Sequence, residues 1–212
     1  MDNYRSKSLE FYKIIDELRA SRHLVLDREA HQPTIQKQLK IAGDTALKKL
    51  NVLKRELAEL ADIEKQKAAI AFDRARRQGE DAARVSYVQT NAVNAFEGIT
   101  GDELIEKYSA YVKNLHPDDQ PYRWVVDDLV RARARDQGTA EMLEHVITKN
   151  YSVEEKVAEA GLSRMQILDN THSTLTGLME MMVESVAKGE KPAAHDIADT
   201  YDDLMQGPTV EA

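Results

Sequence analysis

Leu39-Lys-Ile-Ala-Gly43-Asp-Thr-Ala46-Leu-Lys-Lys-Leu50-Asn-Val-Leu53-Lys-Arg-Glu-Leu57-Ala-Glu-Leu60 decides the fold class. Leu39, Gly43, Ala46, Leu50, Leu53, Leu57 and Leu60 follow one another in alternating steps of four and three. That is the seam of a helix with a heptad rhythm, and the small residues at its start let a partner helix come close. After Leu60 the rhythm slips: Glu64 and Lys67 fall in phase while Ile63 and Ile70 stay apolar. A three-residue shift restores the pattern, as a stammer does.

The seam lies in a stretch without proline that reaches from Thr34 to about Phe96. As one unbroken helix this stretch would be about 90 Å long at about 1.5 Å per residue. Gly43 and Gly79 are its weak points, each costing on the order of 1 kcal/mol relative to alanine. A stripe so extended calls for a partner. The expected interface residues are Leu39, Leu50, Leu53, Leu57, Leu60, Ile63 and Ile70, and the expected partner is another copy or another structural protein.

On the N-terminal side, Leu9, Phe11, Ile14, Ile15 and Leu18 give residues 6–20 a helical stripe, and 21–33, with Pro33, read as a connection. On the C-terminal side short helices take over. Thr100 and Glu103 form a capping-box pattern, and Leu104, Tyr108, Tyr111 and Leu115 supply a buried face. His116 to Pro121 reads as a turn, followed by a helix through Trp124, Val125 and Leu129 to about Gly138, and another over 140–149. Ser152 with Glu155 opens a short helix ending at Gly161, and Ser163 with Gln166 opens a longer one reaching about Lys188. A final helix carries Ala194, Ile197, Tyr201 and Leu204. The fold class is therefore all-α: a long N-terminal helix or helical hairpin, coiled-coil-like, over 1–99, a compact helical bundle over 100–206, and a tail at 207–212.

Composition supports this reading. Of the 212 residues, 42 % are hydrophobic, 31 % charged and only 6 % aromatic, which suits elongated helices better than a thick core. The net charge of −8 opposes a general nucleic-acid binder. Without cysteine there is no disulfide, thiolate metal site or cysteine nucleophile. The N-terminus leads into no apolar segment of signal-peptide type, and no run of about 18 apolar residues is long enough for a membrane span. The expected location is the cytoplasm, or a virion assembled there.

The residues that could carry chemistry are few. A helical di-metal site needs two Glu-x-x-His pairs. The chain offers Asp169-x-x-His172 and Glu141-x-x-x-His145, with no matching second copy, among histidines scattered at 23, 31, 116, 145, 172 and 195. Asp118-Asp119, Asp127-Asp128 and Asp202-Asp203 could in principle do acid–base work, and the two in a loop or near the tail are read as solvated. There is no phosphate-cradling glycine loop and no nucleophile elbow. The expectation is no catalytic residue, no metal and no cofactor. Arg74, Arg76 and Arg77, and Arg131, Arg133 and Arg135, are read as faces pairing with nearby acids, with phosphate or an acidic partner as the sharper alternative. Met179, Met181 and Met182 are read as core filling.

Ser152-Val-Glu-Glu-Lys-Val-Ala-Glu-Ala-Gly161-Leu-Ser163-Arg-Met-Gln166-Ile-Leu-Asp-Asn170 resembles a helix-turn-helix, with Gly161 at the turn and Ser163 capping the second helix. The resemblance implies DNA contact by Ser163, Arg164 and Gln166. Val157 stands where that pattern usually has a small residue, and the same spacing also serves a plain helical corner. The chain as a whole resembles, in general character, the accessory, scaffold or connector proteins of bacteriophage particles. The function expected is a non-enzymatic structural or assembly protein; the rival is a DNA-binding regulator.

Overall fold

Among residues 2–27, 31–79, 81–134, 136–190 and 196–206, which the computed structural model describes, every regular element is a helix. In chain order they are α1 (Asp2–Ser8), α2 (Phe11–Leu26), α3 (Gln32–Arg76), α4 (Ala82–Ala95), α5 (Gly101–Lys113), a 3₁₀ helix (Pro117–Tyr122), α6 (Arg123–Arg133), α7 (Gln137–Lys149), α8 (Val153–Lys188) and α9 (Ile197–Gln206). The all-α class is as expected. Several boundaries differ: the helix expected over 6–20 is split into α1 and α2, α2 runs on to Leu26, and α6 stops at Arg133, short of Gly138. Two others differ for reasons of local chemistry. Pro33 starts a helix instead of extending a connection, because the first turn needs no amide from it. And α3 stops at Arg76, short of Phe96: Gly79 lies so close to Tyr122 that a Cβ there would meet its ring at 2.6 Å. Asp81 then restarts the helix by accepting hydrogen bonds from the amides of Ala83 and Arg84.

The chain divides into two compact units, 1–67 with 163–212, and 68–162. The expected division at residue 99 is thereby corrected: the boundaries fall inside α3 and α8, because the long helix finds its partners near both ends of the sequence. The tail expected at 207–212 lies outside the described residues, as do Ala194, His195 and Arg135.

In the first unit α3 runs antiparallel to both α2 and α8. Glu17 pairs with Lys49 on one side; on the other, Lys54 pairs with Glu180 at 2.5 Å and Lys65 with Asp169. Gly43 is the point of closest approach to α8, since a Cβ there would stand 3.3 Å from that of Ala187. Arg22 of α2 donates to the carbonyls of Val186 and Ala187 and so closes the C-terminal end of α8. The helices α1 and α9 clasp each other: Arg5 donates to both carboxylate oxygens of Asp202 at 2.8 and 2.6 Å. Tyr4 stacks on Tyr201 and hydrogen-bonds Nδ1 of His172 at 2.8 Å. Burial holds that histidine below its ordinary range.

The second unit packs α4 against α6 and α5 against α7. Phe96, Leu104, Tyr108, Val126, Val130, Leu143 and Ile147 fill its centre. Asp136 caps α7 by accepting from the Thr139 amide at 2.7 Å. Thr100 starts α5 from an extended backbone, but its side chain makes no capping bond, so the box expected with Glu103 is not formed.

Candidate functional site

The seven residues expected at an interface have different fates. Leu50, Leu53 and Leu57 are 0, 3 and 0 % exposed within the first unit. Leu39 and Leu60 are half-buried, and only Ile63 and Ile70, at 45 and 59 %, face solvent. The seam is thus the core of its own unit and not an open interface. A helix of α3's length does need a long partner, and the chain supplies one in α8.

The segment expected to turn at Gly161 does not turn. The helix α8 continues from Val153 to Lys188, and Ser163, Arg164 and Gln166 are exposed positions along it. A recognition helix must leave its predecessor at a large angle; an uninterrupted helix has no such turn. A single glycine costs a helix only about 1 kcal/mol, too little to break one packed along its length. Gly161→Ala is therefore expected to stabilise the protein by up to about 1 kcal/mol, since a Cβ there meets nothing within 4 Å. Urea unfolding checks this; a loss of stability would restore the turn.

The start of α8 does behave as read. Ser152 Oγ accepts from the Glu155 amide at 3.1 Å, and the Ser152 amide donates to Glu155 Oε2 at 2.7 Å. The same carboxylate receives Arg123, whose Nη2 lies 2.6 and 2.8 Å from its two oxygens. Arg123 also donates to the Asn150 carbonyl at 2.6 Å, and its Nε lies 3.5 Å from Asp127. Asp127 is fully buried and accepts from the Tyr108 hydroxyl at 2.8 Å. Burial pushes the Asp127 carboxyl up, against the pull of Tyr108 and Arg123, and burial with Asp127 beside it raises the Tyr108 phenol far above its usual range. Arg131 grips Glu144 with two parallel bonds of 2.8 and 2.7 Å and also reaches the Tyr151 hydroxyl.

Most of the arginine runs are therefore spent inside the second unit. Arg76 binds Asp128 at 2.6 Å, and Arg133 donates to the Phe96 carbonyl. The aspartate doublets are used too: Asp119 is buried and bound to Arg84, and Asp202 holds Arg5. These pairs are counter-ions to one another, an arrangement that fixes packing. In the histidine pairs the acids and one imidazole have other partners: Asp169 binds Lys65, His172 binds Tyr4, and Glu141 accepts from Gln137. Among the described residues no group of His, Asp and Glu is placed to hold a metal, and no helix is long and apolar enough to cross a membrane.

Part of what the molecule presents outward is apolar. A groove of about 390 Å³ runs between α2 and α3, lined by Ile14, Leu18, Val25 and Ala42. Leu24 and Ile41 line it, 63 and 55 % exposed, and Leu26, at the end of α2, is 49 % exposed. Ile41 lies on α3 two positions from the buried Gly43, off the seam's phase. That off-phase position was the available signal for this groove, and sequence reasoning passed over it. Comparison with protein-family models, curated proteins and solved structures finds no match.

Proposed function

We propose that this chain is a non-enzymatic helical assembly protein that packs onto copies of itself through the α2–α3 groove. One observation carries the reading: Leu24 and Ile41 are exposed large apolar side chains that line a single groove. Projecting apolar groups beside a trough make a patch that can meet itself about a two-fold axis, each copy filling the other's groove. Exposed apolar surface gathered in one place marks an interaction site, unlike the same residues scattered singly. The clusters around Arg76, Arg123 and Arg131 support the non-enzymatic part, because their charges are bound to one another instead of facing a substrate. A place among the accessory, scaffold or connector proteins of bacteriophage particles belongs to this proposal and rests on composition and helical character. The rival reading as a DNA-binding regulator loses its motif with the turn at Gly161.

Light scattering tests the proposal. The protein is expected to have a mass of at least twice the 24.0 kDa chain, and the Leu24→Ser, Ile41→Ser double variant is expected to fall to one chain with unchanged helical content. A wild-type protein that stays monomeric up to high concentration overturns it.

A further inference from the structure

The second unit carries a groove of a different chemistry. About 620 Å³ in volume, it lies between the end of α3 and α4 and is lined by Ile70, Ala82, Val85 and Trp124 together with Arg74 and Arg77. A trough of this size with a few charged groups on an apolar lining is what small-molecule sites look like. Its Arg77 guanidinium lies 4.9 Å from the centre of the Trp124 ring and pairs with Asp73, the one carboxylate in the lining among the described residues, at 2.8 Å. Arg74, one helical turn away on the same face, is exposed and makes no ion pair or hydrogen bond among the described residues. Ile70 is 59 % exposed although it lies at the mouth of a groove. In a chain of net charge −8, an apolar trough with an excess of cations is out of character with the rest of the surface.

We propose that this groove binds a small amphiphilic carboxylate, its apolar body lying on Ile70, Val85 and Trp124 and its carboxylate on Arg74 and Arg77. Guanidinium is the cation whose planar donors match a carboxylate in two-point contact, and an apolar chain displaces water from the indole and the exposed isoleucine. A neutral chain of the same length would gain only the second contribution. The inference stands apart from the α2–α3 groove: it uses different residues, and it predicts no change of mass on substitution of Arg74.

Trp124 is the single tryptophan of the chain, so its fluorescence reads this groove alone. The full-length protein would be titrated with decanoate, below its micelle concentration, and with decanol. Decanoate is expected to change the Trp124 emission saturably, and Arg74→Gln to weaken that binding roughly tenfold, the size of one charge-assisted hydrogen bond. Decanol is expected to bind more weakly and equally to both proteins. Among the described residues Arg74 is bound to nothing, so its replacement is expected to leave the fold intact, which circular dichroism checks. The proposal is overturned if decanoate gives no saturable change, or if Arg74→Gln and wild type bind it equally.

Discussion

Arg123→Ala is expected to destabilise the protein by about 3–5 kcal/mol at pH 7, the cost of leaving one side of a buried ion pair alone. Arg123 is the hub of the second unit's charges, touching Glu155, Asp127 and the Asn150 carbonyl. Without it, a carboxylate 5 % exposed and another fully buried lose their cation together. The penalty carries a pH signature. Burial already raises the Asp127 carboxyl, and Arg123 is among the groups holding it down. In the variant that carboxyl rises further above its unfolded value, so the folded state binds the proton more tightly than the unfolded chain does. Stability relative to wild type then recovers as pH falls through the raised value and is lost again as pH rises through it. Urea unfolding at pH 7 and pH 4.5 measures both effects. A loss below about 1 kcal/mol would mean that solvent reaches the cluster and screens it, as it does at surface pairs.

Leu57→Ala is expected to cost about 3–5 kcal/mol, as buried leucines do when the surroundings cannot close the space. Leu57 is 0 % exposed in a seam covered by its own chain. Measured in the monomeric Leu24→Ser, Ile41→Ser background, the loss should not change with protein concentration. A midpoint that moves with concentration in that background would put the seam back between chains.

The helical class was legible because a heptad stripe and the lack of proline from Thr34 onward leave the backbone no competing pattern. Burial of Leu50, Leu53 and Leu57 was legible for the same reason. Their partner was not: a stripe says that a face is covered, never by which helix, and α8 lies more than a hundred residues on. Gly43 could be recognised as a place of close approach, though Ala187 could not be named. The end of α3 was half visible, since Gly79 was a weak point, but the restart depends on Asp81, a cap of ordinary composition. At 152–170 the local signals misled. Ser152 and Glu155 cap as the pattern says; Ser163 and Gln166 fit the same pattern and are merely polar residues on an exposed face. Cap residues are equally at home on a solvated helix, and packing along α8 decides between the two. Of the Trp124 groove, the sequence showed Arg74, Arg77 and Trp124 separately, and only the fold makes them neighbours.

The division of the chain has a consequence for how it comes to be made. Residues 68–162 form a contiguous body, so everything that body needs has been synthesised before Ser163 is joined. The other body is assembled from two distant pieces: α2 and α3 emerge early with one flank of their leucines bare, and cover arrives only with Met165, Leu168, Leu175 and Met179. For that interval the nascent chain exposes the very stripe that the finished molecule hides, at the time when stray association between chains is easiest.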